Sequence, residues 1–375
     1  MNRKINEKET NVSVSYSYDF SLLLPVILLV GIGTVMVYSS SSEIALRDNH
    51  NTYYFVNKQG VFALLGMLGL IFTKNLSYNW LKLLVYPFLF LSFVLLSAVL
   101  FSHYGSNAGG ATRWLKLGPL TFQPSEFAKF SLIIYLAYSI SKKDKKLEDI
   151  FVGFIPHVIV LIIFAIFLLM QPDFGSVVIF GILSWIMMYI GGVKVKHLSL
   201  SLFLFVPIIG VICVIAPYRV LRWLAFLWPW EYSNDASYQI VHSFMAFGTG
   251  GIWGVGLGQG IQKLFYLPEP HTDFIFSVIG EEIGLVGILF IVSMYILITW
   301  RGLIISKNTD DKFGSFVAFG ITIALALQVS INMGVTLGLL PPKGLSLPFL
   351  SYGGSSLLFN MACIGILMNI KNSGA

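Results

Sequence analysis

The chain has 375 residues, of which 56% are hydrophobic and only 11% charged, with a mean hydropathy of +0.79. Soluble domains carry about 25% charged residues, so this composition excludes one and selects a membrane protein. The two cysteines, Cys213 and Cys363, both lie in apolar runs, which excludes a disulfide framework or a thiol metal cluster.

Backbone polar groups in lipid must bond within their own segment, so the long apolar runs are read as helices, and none shows the period of 2 of a barrel strand. Ten spans are expected, at 20–38, 55–73, 79–101, 125–141, 151–170, 174–191, 198–217, 274–299, 314–334 and 349–370. The fold class is an all-α polytopic membrane protein with about ten transmembrane helices. Most of the 24 Lys and Arg, including the run Lys142, Lys143, Lys145 and Lys146, fall on the side of the termini, which makes both termini cytoplasmic. Residues 1–18 and 371–375 then read as cytoplasmic tails around a single domain at 19–370, with no cleavable signal.

Four segments on the opposite, outer side, 102–124, 171–173, 218–273 and 335–348, are rich in Gly, Pro, aromatic and charged residues. The third is a large extracytoplasmic loop between helices 7 and 8, and loops of that length are usually functional. Its amphipathic stretch from Tyr238 to Phe247 is expected to lie along the membrane surface.

Candidate chemistry gathers on that side. Asp273 stands at the mouth of the eighth span, where it suits either a helix N-cap or a general base. Glu281 and Glu282 lie deeper in the same span, where an ionisable group is a functional candidate by default. At 100° per residue Asp273, Ser277 and Glu281 share a broad face, while Glu282 points away. Arg113, Arg219, Arg222, Lys263 and Lys343 are positives kept outside against the usual bias. Arginine forks match phosphate geometry, so a lipid diphosphate is one reason for them, and pairing with carboxylates is the other. Glu126 and Lys129 have the spacing of an ion pair, and Asp173 is available as a cap between spans five and six. Ser351 opens Ser351-Tyr352-Gly353-Gly354-Ser355-Ser356, where exposed amides can receive an anion or small residues can pack helices. His271 and Asp273 are too few to hold a metal without partners.

These segments together resemble the SEDS family of shape, elongation, division and sporulation proteins, from about Tyr18 to Ile370. The resemblance rests on Gly110-Ala111-Thr112-Arg113-Trp114, Phe122-Gln123-Pro124-Ser125-Glu126-Phe127-Ala128-Lys129, Gln171-Pro172-Asp173-Phe174-Gly175, Tyr266-Leu267-Pro268-Glu269, His271-Thr272-Asp273-Phe274 and Ser351-Tyr352-Gly353-Gly354-Ser355-Ser356. Ile279-Gly280-Glu281-Glu282 and Lys343-Gly344-Leu345-Ser346-Leu347-Pro348-Phe349 are similar to the division branch more than to the elongation branch. Thr112, Trp228 and His242 depart from the family pattern, and no role is given to them.

The resemblance implies an inverting glycosyltransferase that polymerises lipid II into peptidoglycan at the outer face of the bacterial cytoplasmic membrane, at the division septum, releasing undecaprenyl diphosphate. It implies Asp273 as the catalytic residue, and Arg113, Arg219, Arg222, Lys343, Glu281, His271 and Ser351 as candidates for holding diphosphate or glycan. Its implied partners are a class B penicillin-binding transpeptidase and divisome proteins, and not nucleic acid. No cofactor is named, and a divalent cation on the diphosphate stays open. The competing readings are an elongation-type polymerase and a lipid II transporter or flippase, since ten spans with intramembrane carboxylates also describe a carrier.

Overall fold

The computed structural model describes residues 18–373 except 109–110, 119, 144–145, 216, 234–236 and 265; nearly all of the tail expected at 1–18 lies outside the described residues. The described helices are α1 (Phe20–Asn49), α2 (Tyr54–Asn75), α3 (Trp80–Phe101), α4 (Pro124–Lys143), α5 (Ile155–Met170), α6 (Phe174–Ile190), α7 (Val195–Ile215), α8 (Pro217–Leu227), α9 (Tyr238–Gly250), α10 (Ile275–Asn308), α11 (Lys312–Thr336) and α12 (Gly354–Ser373). Ten of them match the expected spans. Seven helical segments are long and apolar enough to cross a bilayer by themselves. α4 is not among them because Glu126, Lys129 and its serines dilute it; it is enclosed by α3, α6, α11 and α12, and 14 of its 20 residues are buried.

Local chemistry sets the helix ends. Asp19 caps α1 by accepting from Ser21 N at 3.2 Å, Asp173 caps α6, and Asp311 caps α11 through Gly314 N. α4 opens on Pro124, which has no amide to leave unsatisfied in a first turn. A π-helical turn, Ile150–Phe154, precedes α5 and is capped by Asp149. Asp19 also bonds Arg301 at 2.8 Å and Lys371 at 3.1 Å. Those cations lie late in α10 and α12, so both ends of the chain meet at one end of the bundle.

Large apolar side chains such as Phe90, Phe101 and Phe203 are more than 70% exposed around the outside, a surface that only lipid satisfies over so many residues. The largest buried cluster draws on α1 to α6 and on α10, α11 and α12.

Three features depart from the sequence expectation. The segment 102–124 is not only loop: β1 (Gly105–Ala108), β2 (Ala111–Leu117) and β3 (Leu120–Phe122) form an antiparallel sheet in that order. β2 carries Arg113. α9 does not simply lie on a membrane surface but buries Ile240, Val241, Ser243 and Ala246 against the bundle. Its Ser243 Oγ bonds both Ser277 Oγ and Thr336 O at 2.6 Å. α10 is broken at Gly284, whose φ of 70° and ψ of −166° only glycine adopts readily.

Candidate active site

The site forms at the end of the bundle opposite the termini, where the segment His271-Thr272-Asp273 enters α10. Each of its three carbonyls is taken by a different donor: His271 O by Tyr352 N at 2.8 Å, Thr272 O by Ser351 Oγ at 2.6 Å, and Asp273 O by Asn332 Nδ2 at 2.9 Å. The Asp273 side chain is thus presented on a fixed backbone. It caps no helix, since the cap position of α10 is Phe274 and no side chain bonds there. The choice left open between cap and base is thereby narrowed: among the described residues the carboxyl caps no helix.

Asp273 lies against the loop that follows α11. A Cβ built on Gly344 would stand 2.6 Å from Asp273 Oδ2, so the carboxyl occupies space that only glycine leaves free. The next residue back, Lys343, runs its stem over Gly175 at the start of α6, where a Cβ would overlap Lys343 Cε. Asp173 caps that helix through Ser176 N at 3.2 Å and Ser176 Oγ at 2.6 Å, and its charge acts on Lys343. Arg113 reaches the same corner from β2, its Nη2 donating to Pro172 O at 2.6 Å.

The electrostatics follow. Burial, then the neighbouring charge of Glu269, push Asp273 up from 3.8 to about 7, while Arg113, Lys343 and Arg222 pull it down. Part of its side chain nevertheless remains accessible. Burial pulls Lys343 down to about 8, with Asp173 and Asp273 opposing and Arg113 and Lys129 adding to the fall. A carboxyl that is about half ionised near neutral pH, facing several cations, can accept a proton and stand beside a developing anion.

The expected residues divide into two groups. Arg113, Lys343 and Arg222 each act electrostatically on Asp273, and Arg113 also on Lys343. Arg219 falls in α8, and its side chain lies outside the described residues. His271 is buried among Phe55 and Tyr352, and burial lowers its pKa; it packs the site and does not line it as an open ligand. Ser351 is likewise 3% exposed, its hydroxyl occupied between Leu347 N at 2.7 Å and Thr272 O, so it ties two segments together.

Glu281 does not share a cavity with Asp273. The 100° periodicity did not foresee that its carboxylate would turn to the loop after α9 and accept from Ile261 N at 2.8 Å and Gln262 N at 3.2 Å. Glu282 accepts from Ser39 Oγ, Gly258 N and Lys263 Nζ, the last at 2.6 Å. Lys263 therefore belongs to a buried ion pair and not to a phosphate site. The loop itself meets the break in α10: Val255 N and Gly256 N donate to Glu281 O and Glu282 O, and Leu285 N and Val286 N donate to Gly251 O and Ile252 O. These contacts satisfy non-helical backbone that lipid would leave unpaired.

Beneath the site Lys129 pairs with Glu126 at 2.8 Å and donates to Gln328 Oε1 at 2.6 Å, which turns Gln328 Nε2 onto Ser346 O at 3.0 Å. A cavity of about 20 Å³ flanks the pair, between Asn360, Cys363 and Phe130, room for roughly one water. Sequence reasoning passed over Gln328, Asn332, Gly344 and the electrostatic part of Glu269. Two amides four residues apart inside the apolar run of α11 were the available signal for the first pair.

Residues 20–374 match the family model FTSW_RODA_SPOVE, described as cell cycle protein. The chain is 42% identical over 350 residues to a probable peptidoglycan glycosyltransferase FtsW of Geobacter sp. (strain M18), covering 93% of this chain and 95% of that one. It is 38% identical over 359 residues to stage V sporulation protein E of Bacillus subtilis, covering 93% and 96%. Among solved structures it matches a peptidoglycan synthase complex described as coordinating polymerization and crosslinking, with a TM-score of 0.78 at 29% identity over 96% of this chain and 98% of that one. It also matches the rod shape determining protein RodA of Thermus thermophilus, with a TM-score of 0.68 at 27% identity over 95% and 97%.

Proposed function

This chain belongs to the FtsW/RodA/SpoVE family of cell cycle proteins, and from that premise we propose how its outer site works as a peptidoglycan glycosyltransferase. The substrate is lipid II, a disaccharide-pentapeptide on undecaprenyl diphosphate. Asp273 takes the proton from the 4-hydroxyl of the acceptor N-acetylglucosamine as that oxygen attacks C1 of the donor N-acetylmuramic acid. The bond from C1 to the diphosphate oxygen breaks with inversion, undecaprenyl diphosphate leaves, and Asp273 returns its proton to the outer water. Arg113, Lys343 and Arg222 carry the charge that develops on the leaving diphosphate.

The single observation that carries this reading is the placement of the Asp273 carboxyl, packed against Gly344 beside Lys343 on a backbone tied by Asn332, and capping no described helix. A single displacement needs one base and a stabilised leaving group, so the engagement of Glu281 elsewhere is compatible with it. The partner is a class B penicillin-binding transpeptidase that crosslinks the new strand, and the place of action is the division septum within the cytoplasmic membrane, with both chain termini inside. Supporting this are the relationship to proteins named FtsW and to a synthase complex that joins polymerization with crosslinking.

The test is glycan polymerisation by the purified chain with lipid II, with and without the transpeptidase. Polymer that disappears in Asp273→Asn, with lipid II binding kept, is expected. No polymer from the wild type under either condition, or full activity in the variant, removes the proposal.

A further inference from the structure

We propose that Asn332 is a positioning residue for the transfer reaction, its side-chain amide setting the register between the Asp273 carboxyl and the loop that carries Lys343 and Gly344. The inference rests on the reading of Asp273 as the base.

Asn332 lies on α11, a helix that supplies none of the acid or cationic groups of the site, and it is 1% exposed. Its Nδ2 donates to two backbone carbonyls from different segments, Asp273 O at 2.9 Å and Leu345 O at 2.5 Å. Both acceptors are carbonyls, so only the nitrogen of the amide can face them, and both of its N–H groups are consumed. Its Oδ1 is buried with no hydrogen-bond partner among the described residues. A buried polar atom left unsatisfied is unfavourable, so the amide is oriented for the two carbonyls and not for its own satisfaction.

The two carbonyls flank the reactive pair. One belongs to Asp273 itself. The other belongs to the residue after Gly344, whose missing Cβ accommodates Asp273 Oδ2, and two residues after Lys343. Freeing either carbonyl lets the loop slide against the acid. The other ties on this segment, from Tyr352 N and Ser351 Oγ to residues 271 and 272, keep the segment folded without Asn332, and Gln328, one turn earlier on α11, still holds Ser346 O. The effect of losing Asn332 is therefore local to the distance between Asp273 and its cations.

The experiment compares wild type, Asn332→Leu, Asn332→Gln and Asp273→Asn as purified full chains with lipid II, reading kcat, KM and the pH dependence of kcat/KM together with thermal unfolding in detergent. Misplacing a reacting group by about 1 Å costs on the order of 10²-fold in rate. Asn332→Leu is expected to lose about that much in kcat, with KM for lipid II changed by less than about threefold. Its acid limb is expected to move, because the charges that tune Asp273 have shifted. Asn332→Gln, which keeps the amide, is expected to recover a measurable part of kcat. An Asn332→Leu protein whose kcat stays within about threefold of wild type, or whose acid limb does not move, overturns the inference. Should that variant fail to fold, Asn332→Ser, smaller and with one donor for two carbonyls, is read by the same two criteria. Asp273→Asn at the wild-type rate overturns the base assignment and this inference with it, whereas an inactive Asp273→Asn beside an unperturbed Asn332→Leu overturns this inference alone.

Discussion

Asp273→Asn separates the two things that the site asks of Asp273, because the same burial that tunes the acid also destabilises the protein. Asp273 is raised from 3.8 to about 7, roughly three pK units at about 1.4 kcal/mol each, an upper bound near 4 kcal/mol. Part of the side chain is accessible, and solvent screening reduces that to about 2 kcal/mol. The sign follows from linkage: a carboxyl whose folded pKa is raised holds its proton more tightly in the folded state. Stability is fully present below pH 3.8 and is lost as pH rises to about 7. The asparagine variant never ionises and escapes that loss. It is therefore expected to melt a few degrees above wild type at pH 8 and to converge with it near pH 4, while polymerisation falls by about 10²- to 10⁴-fold for want of the base. Thermal unfolding in detergent across that pH range, beside a lipid II polymerisation assay, reads both effects. A variant less stable than wild type at pH 8, or a difference that does not vary with pH, refutes the reasoning about burial.

The cationic side of the site is tested by Lys343→Met, which removes a charge that lowers Asp273; kcat should fall at least about tenfold and the acid limb of the rate profile should move to higher pH. Gly344→Ala places a Cβ 2.6 Å from Asp273 Oδ2 at an exposed loop position, so kcat should fall while the unfolding temperature hardly changes; an equal fall in both would mean a folding defect. For the buried pair of Glu282 and Lys263, Lys263→Met should cost about 3–5 kcal/mol by stranding the carboxylate, and adding Glu282→Met should restore much of it. Additive losses in that double variant, measured by thermal unfolding, would argue against a paired role.

Most of the bundle was legible because hydropathy reports the lipid environment directly: α2, α3, α5 and α6 begin and end within a few residues of expectation. The misplaced ends have local causes. α1 runs on to Asn49 through Ser39, Ser40 and Ser41, polar residues that hydropathy scores as an end, although Ser40 and Ser41 return their hydroxyls to the helix's own carbonyls and Ser39 bonds Glu282. α12 starts only at Gly354 because Phe349, with φ of 68°, and Ser351 form the turn that holds Thr272. In the site, charged residues announced themselves, and Asp273, Arg113 and Lys343 do gather. Helical periodicity failed for Glu281 because it predicts which way a side chain leaves its own helix, and a neighbouring loop with bare amides decides where the carboxylate goes. Asn332 was silent for a related reason: an amide that acts only on backbone carbonyls of remote segments leaves no pattern in its own neighbourhood.

The break in α10 at Gly284 bears on how the protein is made. When the eighth span emerges from the ribosome it carries two adjacent carboxylates into the bilayer, and the groups that receive them come from elsewhere: Ser39 from the first span, Lys263 and the amides of Gly258, Ile261 and Gln262 from the loop synthesised just before. Until these arrive, the outer third of that span carries a burden of charge that lipid opposes. Its final seating is thus conditional on a first span laid down hundreds of residues earlier, whereas the outer end that bears Asp273 waits for chain made later, since Asn332, Ser351 and Tyr352 bond the carbonyls of residues 271 to 273.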